Sequence, residues 1–265
     1  MPRHRHAIIA WAVLGFALVL GDPAGAQTAE PLSTDRPDFT ESPLVVGSKV
    51  WQVESGLLWS RTGQGDVSAK GISLPNALFR LGMSNRLELR AGTPGLVRAN
   101  SGGARASWQT STGDLEVGAK YQLAHQAGLG LDVGVVAFVG LALDGASNAN
   151  VDPSVKLAWG RNFGSLSLTG NFNWSAPTTA ATDRRRVLEA SVSVGRGFGA
   201  SWGGFVEGVA SDVDDADTPA AWTANAGVTR LFGRNLQVDV HMGRGVNDAA
   251  SGWSVGAGLA RRFFR

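Results

Sequence analysis

From about residue 50 onward, the chain alternates apolar and polar residues in short segments, and this period of two continues almost to the C-terminus. In the first segment Trp51, Val53 and Trp59 fall on one face, whereas Gln52 and Glu54 fall on the other. Alternation of this kind indicates a β-strand with one apolar and one polar face. Twelve such segments occur, which predicts an all-β protein of twelve strands.

The connections between the segments are alternately short and long. The short ones, rich in turn-forming residues, are Gly82–Asn85, Ala124–Ala127, Gly160–Gly164, Gly197–Ala200 and Phe232–Arg234. The long ones are Arg61–Lys70, Gly92–Thr112, Asp144–Asn150, Ala176–Arg185, Ser211–Pro219 and Gly245–Ser251. Bacterial outer-membrane barrels have an even number of strands, tight periplasmic turns and longer extracellular loops. The pattern therefore predicts a transmembrane antiparallel up-and-down β-barrel of twelve strands, located in the cell outer membrane.

Aromatic residues concentrate at both ends of the predicted strands. The outer ends carry Trp59, Trp174, Trp222 and Trp253, and the inner ends carry Trp51, Phe79, Trp159, Phe163, Phe198, Phe232, Phe263 and Phe264. Membrane barrels place aromatic girdles at both interfaces, so this distribution supports a membrane location. A soluble β-protein with aromatics in its core is the less favoured alternative.

The N-terminus has the three parts of a secretory signal peptide. Arg3 and Arg5 form the charged start, Ala7–Leu20 the apolar centre and Ala24–Ala26 the small-residue cleavage site. The apolar centre is shorter than the roughly 20 residues of a membrane-spanning helix. The predicted organisation is a signal peptide at residues 1–26, an N-terminal periplasmic tail at 27–48 and an outer-membrane barrel at 49–265.

Composition excludes several classes of function. The full chain has 24 Lys and Arg against 22 Asp and Glu, so it lacks the basic excess of a nucleic-acid-binding protein. With no Cys it has neither disulfides nor Cys-ligated metal. Beyond the signal peptide only His125 and His241 remain, and neither belongs to a recognisable arrangement of nucleophile, base and orienting group. We expect no enzymatic activity, no catalytic residue, no cofactor and no metal site.

Charged residues of both signs lie on the predicted lumen faces of the strands. They are Glu54, Arg80, Glu88, Arg90, Glu116, Lys120, Asp132 and Lys156. Opposite charges on adjacent strands can pair across the wall of the barrel. Such a set can form a selective polar constriction, or it can fill the interior as a salt-bridged core with no transport role. The sequence leaves both interpretations open.

The most specific sequence in the chain is the tail segment Ser33-Thr34-Asp35-Arg36-Pro37-Asp38-Phe39-Thr40-Glu41-Ser42-Pro43. The stretches Leu74–Gly82, Asn85–Arg90, Gly113–Tyr121 and Asp152–Lys156 accompany it. Together they resemble the outer-membrane transporter family named for the meta-pathway of phenol degradation. The chain departs from that family at Leu141–Gly145, where a Pro-Thr-Gly corner is common, and at Arg265, which follows the expected terminal aromatics.

The resemblance implies a channel or transporter for small solutes, aromatic ones included. The alternative is a non-conducting structural or adhesive outer-membrane barrel whose extracellular loops carry the function. Expected partners are the barrel-assembly machinery, an unidentified small-molecule solute, and outer-membrane lipid and lipopolysaccharide, whose phosphates could meet Arg184-Arg185-Arg186. The same three arginines could equally be a solvated rim.

The tail has too little apolar content to form its own core. It starts on the predicted periplasmic side of the barrel, and its motif contains Asp35, Arg36, Pro37 and Asp38. We therefore expect it to enter the periplasmic mouth or pack along the inner wall, with Asp35, Arg36 and Asp38 pairing to lumen charges.

Overall fold

The computed structural model describes residues 32–64, 67–101, 107–127, 130–141, 151–178, 184–214, 219–250 and 252–264. In these residues the strands are β1 (Val50–Gln64), β2 (Val67–Gly82), β3 (Leu87–Thr93), β4 (Leu96–Ser101), β5 (Gln109–Thr112), β6 (Leu115–Ala127), β7 (Leu131–Leu141), β8 (Val151–Phe163), β9 (Leu166–Ser175), β10 (Val187–Phe198), β11 (Trp202–Val213), β12 (Ala221–Phe232), β13 (Leu236–Gly245) and β14 (Gly252–Phe264).

Twelve of these strands form a closed antiparallel ring. Around the ring the order is β1, β2, β3, β6 and then β7 to β14 in sequence, and β14 lies beside β1 to close it. Closure leaves no ring strand with an unpaired edge. The prediction of a twelve-stranded antiparallel β-barrel is confirmed, and each of the twelve alternating segments corresponds to one strand of the ring.

Two predicted long loops are wrong in detail, because the strands continue into them. The β1–β2 ladder runs through Arg61↔Lys70 as far as Gln64↔Val67. Within Gly92–Thr112, β4 pairs with β2 and β5 pairs with β4, which forms an extension beyond the ring. Both segments show little apolar alternation, and Pro94-Gly95 interrupts the second one, so neither was recognisable as a strand from its pattern. The predicted turns Ala124–Ala127 and Gly160–Gly164 are also wrong, since β6 continues to Ala127 through irregular pairing and β8 continues to Phe163.

The barrel has its polar residues inside and its apolar residues outside. The fully buried side chains include Gln52, Glu54, Arg80, Glu88 and Lys120, each at most 1% exposed. Large apolar side chains are exposed on every ring strand, among them Phe172, Val206 and Met242. This distribution is the reverse of that in a water-soluble protein, where ionisable residues are almost never fully buried unless they are paired.

The two ends of the barrel differ in their connections. At the short-turn end, consecutive strands are joined by tight turns such as Gly164–Ser165, in which Gly164 has a φ of 64° that favours glycine. The opposite end is the long-loop end. Exposed aromatic residues lie near both ends: Trp59, Trp174, Trp222 and Trp253 at the long-loop end, and Phe79, Phe163, Phe198, Trp202 and Phe232 at the short-turn end.

The predicted signal peptide lies outside the described residues, so it stays a prediction. Parts of the predicted long loops also lie outside the described residues. Where the chain is described, its helical structure is a 3₁₀ turn at Asp248–Ala250, and no helix is long and apolar enough to cross a membrane.

Gly170 of β9 gives a test of the packing on the outer face. A Cβ at Gly170 would overlap the indole ring of Trp159, its partner on β8. We expect Gly170→Ala to displace this ring and lower the free energy of unfolding by about 1–3 kcal/mol, the usual cost of overpacking. Gly208→Ala is the matched control, because no atom lies within 4 Å of the added Cβ. Urea unfolding of both variants in lipid measures the difference, and equal stabilities would contradict this packing.

Candidate functional site

The N-terminal segment Leu32–Lys49, called the plug below, lies inside the barrel. It contacts wall residues of β1, β2, β3, β6, β8, β10, β11 and β13, so it reaches around most of the circumference. Its partners range from Gln237, the second residue of β13 at the short-turn end, to residues near mid-strand such as Lys156 and Ser191. The plug therefore occupies the lumen from the short-turn end to about the middle of the barrel.

Asp35 is the first of two buried anchors that hold the plug. Its carboxylate forms ion pairs with Lys120 at 2.9 Å, with Arg80 at 3.5 Å and with Arg90. The three basic side chains are completely buried. Its backbone N–H donates to the Glu54 carboxylate, and its own carboxylate accepts from the backbone N–H of Ser42, which folds the plug back on itself.

Glu41 is the second anchor. One carboxylate oxygen lies 2.5 Å from Arg90 Nη1 and 3.8 Å from Lys120 Nζ, and the other lies 2.5 Å from Lys156 Nζ. Charge-assisted hydrogen bonds of this kind are about twice as strong as neutral ones. Glu41 thus joins β3, β6 and β8 through one side chain.

Both anchors are ionised at neutral pH. Burial alone would raise the pKa of Asp35, but Arg80, Lys120 and Arg90 outweigh it and hold the pKa below its ordinary value. Burial acts in the same direction on Glu41, and there Arg90, Lys156 and Lys120 hold the pKa well below the ordinary range. Because neither carboxylate could remain charged here without these cations, the plug and the basic wall depend on each other.

The wall contributes two further carboxylates to this charge cluster. Arg80 lies 3.0 Å from Glu54 and 2.9 Å from Glu88, and Arg90 lies 3.2 Å from Glu88. Glu88 also accepts the backbone N–H of Val46 from the plug. The cluster therefore contains four basic wall residues, two acidic wall residues and two acidic plug residues.

The opposite side of the plug is held by hydrogen bonds and one ion pair. Glu207 of β11 accepts the backbone N–H groups of Phe39 and Thr40, at 3.1 and 2.6 Å. The Thr40 hydroxyl donates to Ser191 of β10 at 2.8 Å. Arg36 pairs with Asp239 of β13 at 3.4 Å.

Glycine provides the space for this arginine. A Cβ at Gly56 or at Gly258 would collide with the Arg36 guanidinium. Both positions therefore require a residue without a side chain for the plug to adopt this path.

Asp38 corrects the expectation that all three charged motif residues pair with lumen charges. Within the described residues it forms no ion pair, and its strongest charged neighbour is Glu207, a like charge. Burial, followed by Glu207, raises the pKa of Asp38 to about 8. At neutral pH the Asp38 carboxyl is therefore mostly protonated.

The structure brings six of the eight lumen charges predicted from the sequence into the charge cluster: Glu54, Arg80, Glu88, Arg90, Lys120 and Lys156. Asp132 lies apart, accepting the backbone N–H of Gln126 and contacting His125 Nδ1 at 2.7 Å. Glu116 is exposed near the long-loop end of β6. Whether these residues form a constriction for solutes stays a prediction.

The sequence analysis missed five residues that fix the plug: Glu41 and Thr40 in the plug, and Ser191, Glu207 and Asp239 in the wall. Glu41 and Thr40 belong to the specific tail motif, so the motif itself was a signal for them. Glu207 lies in a glycine-rich segment with weak alternation, which concealed its lumen position. In the part of the chain that the structure covers, no three His, Asp or Glu side chains are placed to hold a metal ion.

A cavity of about 280 Å³ remains between the plug and the wall formed by β9 to β12. Small and hydroxyl-bearing wall residues dominate its lining: Ser167, Thr169, Ser193, Gly195, Gly197, Gly203, Gly204 and Thr229. The wall also contributes Arg196 of β10 and Phe205 of β11, and the plug contributes Thr34, Arg36, Pro37, Asp38, Thr40 and Ser42. The charge cluster lies on the other side of the plug, so the free space faces a wall with few charges.

Comparison with known proteins identifies relatives of this barrel. A family model described as "Putative MetA-pathway of phenol degradation" matches residues 34–263, which confirms the resemblance seen in the sequence. No curated protein sequence matches the chain significantly.

Solved structures share the fold at low identity. An outer-membrane channel from Pseudomonas putida F1 is 12% identical with a TM-score of 0.62, over 83% of this chain and 97% of that one. The transport unit of the autotransporter AIDA-I from Escherichia coli is 11% identical with a TM-score of 0.53, over 98% of each chain. The NanC porin is 11% identical with a TM-score of 0.50, over 78% of this chain and 98% of that one.

Asp35 and Asp38 form a matched pair for testing the anchor. We expect Asp35→Asn to loosen the plug, because it leaves Arg80, Arg90 and Lys120 with too few carboxylates in a buried site; breaking such a cluster costs about 3–5 kcal/mol. Asp38→Asn removes no cation partner and should leave the plug docked. Hydrogen exchange of the Thr40 and Val46 amides measures docking. Equal protection in the two variants would contradict the assignment of Asp35 as an anchor.

The raised pKa of Asp38 predicts a pH dependence of docking. Between its ordinary pKa of 3.8 and its docked value of about 8, the docked plug binds more protons than a released plug. Docking should therefore weaken as the pH rises through this window. Asp35 and Glu41, whose pKa values are lowered, weaken docking only in acid below about pH 4.

Exchange protection of the plug, measured from pH 5 to pH 8.5, checks this dependence. It should fall in the wild type and change less in Asp38→Asn, which shares every other titratable group. Identical slopes in the two proteins would show that Asp38 is not responsible.

Proposed function

We propose that the chain, which belongs to the family described as "Putative MetA-pathway of phenol degradation", is an outer-membrane channel that passes small solutes between its plug and one wall of the barrel. The observation that carries the proposal is the cavity of about 280 Å³ that the plug leaves along β9 to β12.

The outer surface supports a membrane location. Exposed apolar side chains surround the ring, and exposed aromatics lie near both strand ends, as in barrels that span the outer membrane. All ring strands pair with two neighbours, so a lipid-facing surface would expose no unpaired strand edge. The signal peptide predicted at residues 1–26 is consistent with export to that compartment.

The division of the lumen supports a route on one side. The charge cluster fixes the plug against β1 to β8, where basic side chains and carboxylates fill the space between plug and wall. On the other side, most of the wall residues that line the cavity are glycine, serine or threonine, and the larger ones are Arg196 and Phe205. A solute would therefore move along β9 to β12, past Arg36 and Asp38 of the plug and Phe205 of the wall.

The cavity limits the solutes that fit. Pockets for drug-sized ligands occupy about 300–1,000 Å³, so a cavity of about 280 Å³ suits smaller molecules. Hydroxyl groups of Ser167, Thr169, Ser193 and Thr229 offer hydrogen bonds, and Phe205 offers an apolar surface. Small solutes with both polar and apolar groups, single aromatic rings among them, match this lining. We propose that passage involves no enzymatic step.

Cysteine labelling in planar bilayers tests the route, because the chain has no native cysteine. Thr229 lines the cavity, and its neighbour Val228 is 45% exposed on the outer face. A thiol-reactive cation applied to Thr229→Cys should lower the single-channel conductance by roughly half or more, because it adds bulk in a narrow pore. The same reagent on Val228→Cys should have no effect.

Deleting Ser33–Pro43 distinguishes the channel from the alternative of a non-conducting barrel. The barrel without this part of the plug should still assemble, which a difference in gel mobility before and after boiling would show. Its conductance should be higher than that of the wild type. A wild-type protein that assembles but carries no current would favour the structural or adhesive role. Equal block at Thr229 and Val228 would place the route elsewhere.

A further inference from the structure

A second cavity, of about 430 Å³, lies at the long-loop end where β13 and β14 meet β1. Its lining includes Arg61, Arg244, Trp253 and Asp248. None of these residues belongs to the plug or to the solute route. We call this cavity the rim pocket.

Three relations place the arginines of the rim pocket on the outer face of the barrel. Arg244 is directly paired with Trp253 across β13 and β14, so the two side chains share a face. Trp253 packs edge-on against Trp59, with ring centroids 4.4 Å apart, and both rings are more than a third exposed. Arg61 follows Trp59 by two positions in β1 and therefore points the same way.

The rim pocket lies at the edge of the apolar belt. Two residues before Arg244, Met242 is 62% exposed, and two residues after Trp253, Val255 is 43% exposed. Passing along the outer face toward the long-loop end, the surface changes from apolar side chains to two tryptophans and then to two guanidinium groups. A lipid leaflet has the same order from its centre to its surface: acyl chains, then the interfacial region, then the headgroups.

Both guanidinium groups are available to a ligand. Among the described residues, no carboxylate lies within 4.0 Å of Arg61 or Arg244, although Asp248 lines the same pocket. The arginine run Arg184-Arg185-Arg186, which the sequence suggested as a phosphate contact, differs from these two residues. There Arg186 pairs with Asp214 at 3.5 Å, and Arg184 donates to the Val151 carbonyl at 2.9 Å.

We propose that the rim pocket binds a phosphate group of a glycolipid in the outer leaflet of the membrane. Two guanidinium groups match the geometry of phosphate, which arginine binds through paired hydrogen bonds. The acyl chains of the same lipid would lie against Trp59, Trp253, Met242 and Val255. This inference rests on the membrane location in the proposed function, but it does not require the barrel to conduct.

Purified protein in detergent tests the proposal, with bisphosphorylated lipid A as the probe and mass spectrometry of intact complexes as the readout. The double variant Arg61→Gln/Arg244→Gln should bind this lipid at least about tenfold more weakly, given the strength of hydrogen bonds between charged groups. Its binding of enzymatically dephosphorylated lipid A should be unchanged. Arg184→Gln, which alters another arginine at the same end, should bind like the wild type.

A second variant keeps the test independent of any folding defect. Asp248→Asn removes the carboxylate that lines the pocket, and it should bind the phosphorylated lipid more tightly than the wild type. Wild-type affinity in the double variant, or unchanged affinity in Asp248→Asn, would overturn the proposal. Competition by millimolar inorganic phosphate to the same extent as by the lipid would show a site for soluble phosphate and would also overturn it.

Insertion into liposomes separates a failure of the proposed membrane location from a failure of the rim-pocket site. A protein that does not insert into liposomes lacks the membrane location itself, whereas a protein that inserts but binds lipid equally with and without the two arginines lacks only the rim-pocket site.

Discussion

The arrangement of the lumen depends on four basic wall residues inside the barrel, whose charge the wall carboxylates paired with them do not balance alone. Arg80, Arg90, Lys120 and Lys156 project inward, and the wall carboxylates paired with them are Glu54 and Glu88. Asp35 and Glu41 of the plug supply the missing two negative charges. A buried, uncompensated cation costs several kcal/mol, so the plug has one place in which its charges and those of the wall are all satisfied.

The position of the plug then determines where space is left. Since the ion pairs draw it toward β1 to β8, the cavity lies on the opposite side, where the wall lining is mostly glycine, serine and threonine, with Arg196 and Phe205. There the plug is held by weaker contacts, chiefly from Glu207 to the Phe39 and Thr40 amides. The protonated carboxyl of Asp38 lies beside this carboxylate, because burial and Glu207 raise its pKa to about 8. Strong anchoring on one side and weaker, proton-sensitive anchoring on the other suit a plug that borders a solute route.

The sequence predicted the barrel well, because strand alternation is local: each segment, such as Leu166–Ser175, shows its own two faces. It did not predict the β4–β5 extension, because these two strands are short, show little apolar alternation and follow Pro94-Gly95. For the site, alternation predicted which strand residues face inward, and the tail motif pointed to Asp35 and Arg36. The partners of the tail could not be predicted from the sequence, because residues such as Thr40 and Glu207 are 167 positions apart and no periodic pattern links them.

Docking of the plug inside the barrel underlies both the charge balance and the proposed solute route, and a disulfide in the cysteine-free chain tests it most directly. The hydroxyl oxygens of Thr40 and Ser191 are 2.8 Å apart, whereas Val192, the next residue of β10, is 48% exposed on the outer face. In intact cells, Thr40→Cys/Ser191→Cys should oxidise to an internal disulfide that mass spectrometry of the digested protein detects, and Thr40→Cys/Val192→Cys should not. A plug that cross-links to neither position, or to both equally, would contradict the account.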